Sequence, residues 1–160
     1  ARVAAATRLP GLRTPVAPVI GGLLRVMQRV NATRALTFTT SDVPADLAFA
    51  GEEQDLQEML GNLLENAAQW AQQAVHVSAR QSGSSLEIRV EDDGPGIALG
   101  QRETALSRGG RLDERVPGSG LGLAIVADLV ELYGGSIALE GSPLGGLLVR
   151  LNLPAVTAAA

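Results

Sequence analysis

Apolar residues recur at helical spacing in three segments of the chain. The strongest pattern predicts a helix over residues 52–74, in which apolar positions every three to four residues form one face. Two more helices are predicted over residues 15–30, weakened by Gly21 and Gly22, and over residues 121–133. These helices are amphipathic, which predicts that each packs one side against something else.

Strand-like patterns fill most of the remaining chain. Strands are predicted over residues 36–40, 47–50, 75–80, 86–91, 136–140 and 147–151. Over residues 86–91, apolar and charged side chains alternate, so one face should be buried and the other wet. Residues 98–117 have no sustained periodicity and predict a long charged loop of the kind that often serves as a lid. The order predicts an α/β fold, a two-layer sandwich whose single mixed sheet carries helices on one face.

The amino-acid composition excludes several kinds of functional site. The 160 residues suit one domain, and a hydrophobic content of 46% is enough for a core, which aliphatic residues must fill because aromatic residues are only 2%. There is no cysteine and a single histidine, His76, which excludes disulfides and multi-histidine metal centres. All basic residues are arginine, so a P-loop lysine is absent. The net charge of −4 disfavours nucleic-acid binding.

The first motif with chemical potential is a pair of asparagines in the helix predicted over residues 52–74. Asn62 and Asn66 are four residues apart, so both amides project from one stripe at the edge of the apolar face. Two amide oxygens placed this way suit a hard cation such as Mg²⁺, which prefers oxygen and keeps waters and phosphates as other ligands. Alone, such a pair is more often simply solvent-facing.

The second motif is the EDDGPGI sequence of residues 91–97, at the end of a predicted strand. Gly94 and Gly96 permit tight turns and close backbone approach. Asp92 stands at the mouth of the strand, where a carboxylate suits an exocyclic amine such as that of adenine. Asp, Gly and Pro also dominate ordinary turns, which is the alternative interpretation.

The third motif is the GSGLGLA sequence of residues 118–124, which joins the long loop to the start of a helix. Glycines there leave backbone N–H groups exposed at the positive end of the helix dipole, which is a phosphate cradle. The motif does not follow directly after a strand, so a dinucleotide-binding fold fits poorly. A flexible loop with glycine caps is the alternative.

Together, in this order and at these separations, the three motifs resemble the N, G1 and G2 boxes of the ATP-binding domain of sensor histidine kinases. That fold, the Bergerat fold with a long ATP lid, is shared with gyrase, the MutL repair protein and a heat-shock chaperone. The resemblance covers roughly residues 15–153 and is greatest to PhoQ-type kinases. It divides the chain into a lead-in over residues 1–14, the ATP-binding domain over 15–153 and a disordered tail over 154–160.

The resemblance implies roles for the matching positions. Asn62 and Asn66 would hold Mg²⁺ and phosphate, Asp92 would read the adenine amine, and Asn66 and Arg111 would be the catalytic residues. The full implied nucleotide site is Asn62, Asn66, Gln69, Trp70, Asp92, Gly94, Gly96, Ile97, Arg111, Gly118, Ser119, Gly120, Leu121, Gly122 and Leu123.

Some positions depart from the family pattern. Gln69 stands where the family usually has Lys or Arg, and Trp70 replaces the usual ring residue and could pack beside adenine. Leu106 lies near the place of an expected phenylalanine. Arg115 lies one residue away from the expected second lid arginine. These departures bear on affinity and rate more than on the fold.

The implied function is ATP- and Mg²⁺-dependent autophosphorylation of a histidine outside this fragment. The implied partners are the histidine-bearing dimerisation domain of the same protein and the receiver domain of a response regulator. The fragment should be monomeric, within a homodimeric parent. It should be a cytoplasmic domain of an inner-membrane sensor. His76 lies in a predicted strand between two valines and is not expected to be the phosphoacceptor.

Two alternatives remain open. One is an ATPase of the same superfamily, in which relatives carry a glutamate base at the position of Asn62; asparagine cannot act as that base. The other is a non-catalytic nucleotide-binding module, which Gln69 and the altered lid keep possible.

Overall fold

The computed structural model describes residues 12–106 and 122–156. The helices in these ranges are α1 (Val16–Val30), α2 (Glu53–Trp70), α3 (Arg102–Leu106) and α4 (Gly122–Leu132), with a 3₁₀ turn at Leu99–Gln101. The strands are β1 (Thr14–Pro15), β2 (Thr37–Thr40), β3 (Ala48–Phe49), β4 (Ala74–Ser82), β5 (Ser85–Asp92), β6 (Ser136–Gly141) and β7 (Leu147–Pro154).

Five of the strands described above form one mixed sheet in the order β2-β4-β5-β7-β6. The pairing of β2 with β4 is parallel and the other pairings are antiparallel. The helices pack on one face of this sheet, and their apolar sides and the inward residues of the strands form one core. The predicted two-layer α/β sandwich is therefore confirmed.

Helix α2 lies at the centre of the helical layer, in contact with α1, α4 and the sheet. Its apolar face is almost completely buried, as its helical periodicity predicts. It ends at Trp70, four residues before the predicted end, because Ala71 is extended and the chain must reach β4 at Ala74. The last turn of α2 carries no basic residue; instead, the guanidinium of Arg34 donates to the carbonyls of Ala68 (2.6 Å) and Ala71 (3.3 Å). A cation supplied from another element thus stabilises the negative end of the helix dipole.

The edges of the domain lie slightly outside the predicted limits of residues 15 and 153. Thr14 already pairs with Phe49 in a small antiparallel sheet of β1 and β3. At the other end, Ala155 bridges to Phe49 and the amide of Val156 donates to Ala48. Residues 154–156 are therefore paired with the rest of the domain. Pairing between distant segments sets both limits, which local sequence patterns do not reveal.

Part of the loop predicted over residues 98–117 is helical, at Leu99–Gln101 and in α3; residues 107–117 lie outside the described ranges. Arg102 fixes this segment, since its guanidinium donates to the carbonyls of Ile97 (3.0 Å) and Leu139 (3.2 Å). Helix α3 buries only Ala105 and contacts α4. Five residues with one buried side chain show no periodicity, which explains why the sequence predicts a loop there. No helix in the described part of the chain is both long and apolar enough to cross a membrane.

The sheet face opposite the helices is less exposed to solvent than the alternation over residues 86–91 predicts. Glu87 is only 6% exposed because three arginines cover it. Its carboxylate pairs with Arg80 at 3.0 Å, Arg89 at 3.4 Å and Arg150 at 3.6 Å, and Arg150 also pairs with Glu140. Burial acts to raise the pKa of Glu87, but the hydrogen bonds and charges of Arg89 and Arg80 outweigh it and lower the pKa.

We expect Glu87→Gln to reduce the free energy of unfolding at pH 7 by about 1 kcal/mol, a figure that allows for solvent screening by the exposed arginines. Because the folded-state pKa of Glu87 is lowered, its contribution is present above the unfolded pKa and is lost as the pH falls through the folded one. Urea unfolding at pH 7 and in acid should show the difference shrinking. Glu91→Gln, on the same strand face without an ion pair among the described residues, is the control. Equal losses for both variants would contradict the prediction.

Candidate functional site

The candidate site begins with an acidic side chain on the core face of the sheet. Leu86, Ile88 and Val90 of β5 face the helices, and the two-residue period places Asp92, the last residue of the strand, on the same side. Asp92 is 2% exposed. A carboxylate that extends an apolar row must find hydrogen-bond donors, because burying an unpaired charge is costly.

Backbone amides supply those donors to one oxygen of Asp92. Its Oδ1 accepts from the amide of Gly94 at 2.8 Å and from that of Leu147 at 3.4 Å. Its Oδ2 receives no donor from the part of the chain that the structure describes. Burial raises the pKa of Asp92, the two backbone hydrogen bonds act in the opposite direction, and the charge of Asp93 adds to the rise. Asp92 is thus a buried acceptor with one oxygen available to a ligand.

Two glycines allow the backbone to close around Asp92. A Cβ on Gly146 would lie 2.3 Å from Oδ1 of Asp92 and 2.5 Å from its carbonyl oxygen. A Cβ on Gly94 would lie 2.3 Å from the carbonyl oxygen of Trp70, at the end of α2. Neither distance is compatible with a side chain. The close approach of β7 and of the end of α2 to this strand tip therefore requires glycine at both positions.

The rest of the EDDGPGI motif shapes the chain that leaves β5. Gly96 has φ +73°, a conformation that favours glycine, and it lies against the backbone of Gly146. Ile97 packs partly on the core, and its carbonyl is held by Arg102. These contacts keep the segment after Asp92 next to the turn that precedes β7.

A second group of polar atoms lies two turns earlier on α2. The amide nitrogen of Asn62 donates to the carbonyl of Glu58 at 2.8 Å, and its Oδ1 receives no donor from the described residues. That oxygen lies 3.6 Å from the Cβ position of Gly122, the first residue of α4. An amide oxygen thus faces the N-terminus of a helix, where unpaired N–H groups and the dipole favour an anion.

The two groups are joined by α2. Asn62 and Trp70 are eight residues apart, which is about 12 Å along a helix axis. Asn66 lies one turn after Asn62 and is half-buried, as is Trp70, whereas Gln69 is exposed. The arrangement suits an elongated ligand with an amine-bearing group at Asp92 and an anionic group near Asn62.

The side chains around the candidate site also indicate how a metal ion would be bound there. No cluster of three or more His, Cys, Asp or Glu side chains that could hold an ion is found within residues 12–106 and 122–156. A cation here would therefore rely on neutral amide oxygens and on the ligand itself, which suits Mg²⁺ with phosphate ligands. The Oδ1 of Asn62, which has no donor within residues 12–106 and 122–156, fits this requirement.

Several predicted site residues lie outside the described ranges, so their positions remain predictions: Arg111, Gly118, Ser119, Gly120 and Leu121. Leu123 is described, and its side chain is 7% exposed within the core. Its side chain therefore does not line the site, because the apolar face of α4 turns it inward. Only its backbone amide, in the first turn of α4, is available to a ligand.

Some residues that shape the site are not among those predicted. Gly146 and Leu147 contact Asp92, although they are 54 and 55 positions later in the chain; their signal is the Gly-Gly pair before β7. Asp93 accepts hydrogen bonds from the amides of Gln72 (2.8 Å) and Gln73 (3.0 Å) and so fastens the end of α2 beside β5. Burial acts to raise the pKa of Asp93, but these backbone donors outweigh it and lower the pKa.

His76 lies on β4, between the edge strand β2 and β5. Its Nδ1 lies 2.7 Å from Oγ1 of Thr39 and its Nε2 lies 2.9 Å from Oγ of Ser41. Both ring nitrogens are therefore hydrogen-bonded, and His76 lies in a strand, as its position between two valines predicts.

In sequence, the chain is similar to two sensor kinases. Over 111 residues, 69% of the chain and 25% of the relative, the chain is 50% identical to the sensor protein kinase CarS of Pseudomonas aeruginosa. Over 132 residues, 82% of the chain and 27% of the relative, it is 40% identical to the sensor protein PhoQ of Escherichia coli. The chain thus spans about a quarter of the length of these curated relatives.

Solved structures give the same result for the fold. The ATP-binding domain of PrrB from Mycobacterium tuberculosis superposes with a TM-score of 0.77 at 27% identity, covering 91% of this chain and 98% of that one. The mycobacterial sensor histidine kinase MprB superposes with a TM-score of 0.77 at 27% identity, covering 89% and 96%. Residues 51–157, more than half of the chain, match the family described as histidine kinase-, DNA gyrase B-, and HSP90-like ATPase. That match includes α2, the Asp92 strand tip and the start of α4, and the chain belongs to this ATPase family.

Proposed function

We propose that this chain is the ATP- and Mg²⁺-binding catalytic domain of a sensor histidine kinase, supplying the γ-phosphate to a histidine outside the chain. The observation that carries the proposal is Asp92. A carboxylate that is 2% exposed, with one oxygen held by backbone amides and the other without a donor among the described residues, is built to accept a hydrogen bond from a ligand. An exocyclic amine of adenine would supply that donor.

The phosphate end of the ligand would lie toward the N-terminus of α4. The amide oxygens of Asn62 and Asn66 would hold Mg²⁺, and the N–H groups that begin α4 would bind phosphate oxygens. When bound, Mg²⁺ would neutralise charge on the transferring phosphoryl group. The glycine-rich residues 118–122 and Arg111 would complete this end, as the resemblance to the kinase family implies.

The proposed reaction is phosphoryl transfer to an imidazole. The bond between the γ-phosphorus and the oxygen that remains on ADP breaks, a nitrogen–phosphorus bond forms, and the imidazole proton leaves to solvent. The contribution of this chain would be orientation and electrostatic stabilisation. His76 does not suit the acceptor role, because both of its ring nitrogens are engaged on the face of the sheet away from α2.

The partners follow from the reaction and remain proposals. The acceptor would lie on a dimerisation domain of the same protein, and a response-regulator receiver domain would take the phosphoryl group from it. The parent would be a homodimeric sensor with this domain on the cytoplasmic side of the inner membrane. The similarity to proteins named as sensor kinases supports these proposals.

Asn62 favours a kinase over a hydrolysing ATPase of the same family. Hydrolysis requires a general base within reach of the attacking water. The side chain of Asn62 is a neutral amide, which is too weakly basic to take a proton from water; its nitrogen donates to the carbonyl of Glu58. Among neighbouring acids, Glu65 is exposed and lies on another side of the helix.

The function is tested by incubating this chain with γ-labelled ATP and the parent's histidine-bearing domain in trans. We expect acid-labile label on that domain only when Mg²⁺ is present. Asn66→Ala should lower the transfer rate by about 100-fold or more, because metal and phosphate positioning is lost. Glu65→Ala, on the same helix but exposed and on another side of it, is the matched control.

The outcomes separate the three candidate functions. Rapid phosphate release by this chain alone would identify an ATPase. Tight ATP binding without transfer would identify a non-catalytic module. Label on His76 would show that the acceptor assignment is wrong.

Asp92→Asn should weaken ATP binding by about tenfold or more, since a hydrogen bond to a charged group is worth roughly 1.5–3 kcal/mol. The asparagine Oδ1 would still accept from Gly94 and Leu147, so its NH₂ would face the adenine amine, donor against donor. Because burial raises the pKa of Asp92, the carboxylate disfavours folding at neutral pH, and the variant should melt no lower than wild type at pH 7. Trp70 fluorescence titration and thermal melts check both expectations.

The same shift predicts a pH dependence of binding. As the pH falls through the raised pKa of Asp92, the acceptor becomes protonated, so ATP affinity should decline at a pH above about 4, the ordinary aspartate value. Asp92→Asn should lack this particular decline. An identical pH profile in both proteins would contradict the adenine role of Asp92.

Gly146→Ala should abolish detectable ATP binding, because the new Cβ would lie 2.3 Å from Oδ1 of Asp92 and would displace it. Gly141→Ala is the matched control in the same hairpin, since a Cβ there meets nothing within 4 Å. Isothermal titration calorimetry on folded protein, verified by circular dichroism, measures the difference. Equal ATP affinity in the two variants would show that the packing of β7 on Asp92 does not shape the nucleotide site.

A further inference from the structure

The two helices of the candidate site meet at a second place, far from Asp92. Tyr133 follows the last residue of α4 and is completely buried. Its hydroxyl donates to Oδ2 of Asp55 at 2.5 Å and accepts from the amide of Glu52 at 3.2 Å. We call this arrangement of Tyr133, Asp55 and Glu52 the Tyr133 bridge.

The Tyr133 bridge replaces an ordinary helix cap. Glu52 is the N-cap of α2 and makes no side-chain capping hydrogen bond. In a capping box, the side chain three residues after the N-cap reaches back to the N-cap amide. Here Asp55 occupies that position, and the tyrosine hydroxyl from α4 stands between its carboxylate and the amide of Glu52. The start of α2 is therefore completed by another element.

The neighbouring residues hold the tyrosine ring in one place. Its centroid lies 4.8 Å from that of Phe49, with the planes tilted at 59°. A Cβ on Gly51 would lie 2.5 Å from both rings, so the chain before α2 fits only as glycine. Burial and the hydrogen bond to Asp55 raise the pKa of Tyr133 to about 12, so the hydroxyl remains a donor throughout the physiological range.

The geometry links this bridge to the phosphate end of the site. The path from the bridge to the site is ten residues along α2, from Glu52 to Asn62, or about 15 Å. Along α4 it is eleven residues, from Tyr133 back to Gly122, or about 17 Å. The other ends of the two paths meet where Oδ1 of Asn62 lies 3.6 Å from the Cβ position of Gly122. Because the two helical paths are nearly equal in length, a contact that fixes the two helices at one end also sets their relative position at the other.

We propose that Tyr133 is a positioning residue that sets the axial register of α2 against α4, and with it the distance between the Asn62 amide and the N-terminus of α4. The inference rests on the proposed function, because that distance matters only when Mg²⁺ and phosphate bind there. Tyr133 touches no reacting atom. Its effect belongs to the phosphate end of the ligand and not to the adenine end at Asp92.

The test compares MgATP with adenosine, which has no phosphate and reports on the Asp92 end alone. Tyr133→Phe removes only the hydroxyl. It should weaken MgATP binding about fivefold, the loss expected for one hydrogen bond, and lower transfer to the histidine-bearing domain about tenfold through misplacement. Adenosine affinity, measured by Trp70 fluorescence, should stay within about twofold of wild type, because the Asp92 contacts are untouched.

Phe38→Leu is the control for lost stability, since Phe38 is a core residue of β2, away from the bridge. It should lower the melting temperature with no change in either affinity. Asp55→Ala is the second variant, which removes the acceptor but keeps the packing of Tyr133 on Phe49. It should reproduce the split between MgATP and adenosine, and its effect should not add to that of Tyr133→Phe.

The outcomes distinguish this inference from the proposed function. If the wild-type protein does not bind MgATP, both the proposed function and this inference are wrong. Wild-type protein that binds MgATP normally, with Tyr133→Phe equal to it in affinity and transfer, would remove the inference alone. Equal losses of MgATP and adenosine would show a merely structural role for Tyr133 and would also overturn the inference.

Discussion

The burial of one carboxylate constrains the rest of this structure. Asp92 ends an apolar strand face at 2% exposure, and its charge is tolerated only because two backbone amides reach it. Those amides come from the turn after β5 and from the start of β7, and both segments approach closely because Gly94 and Gly146 have no side chain. Both donors reach Asp92 because β7 lies beside β5 in the sheet and because the chain turns back at residue 94.

The second constraint is the pairing of α2 with α4. Helix α2 carries Asn62 and ends against the Asp92 strand tip, while α4 begins at Gly122 opposite Asn62. The candidate site is thus spread along one helix, with an acceptor for a base at its end and an oxygen for a cation two turns earlier. Tyr133 joins the other ends of the same two helices. In the site that we propose, recognition of the base is separate from placement of the phosphates, which allows each to be tested alone.

Much of the fold follows from the sequence because its periodicities are strong. The burial of α2, the alternation in β5 and the two-layer arrangement are all consequences of where apolar residues recur. The residues at which helices and strands begin and end are harder to predict from the sequence. Helix α2 stops at Trp70 although its pattern continues, and α3 forms within a segment that has no pattern, because contacts with β4 and α4 decide both. Thr14 and Ala155 are both tied to the domain by pairing with Phe49, which is distant from each of them in sequence.

For the candidate site, the sequence by itself determined which chemical groups are present: two amides one turn apart, an acid at a strand end, and glycines before a helix. It also determined, by the absence of lysine and cysteine, which routes to nucleotide or metal binding are closed. Only the tertiary structure decided that Gly146 and Leu147 complete the surroundings of Asp92, that the Leu123 side chain turns into the core, and that Tyr133 caps α2. The reason is physical. Periodicity records which side of an element is buried, whereas close approach between residues more than 50 positions apart depends on how whole elements pack.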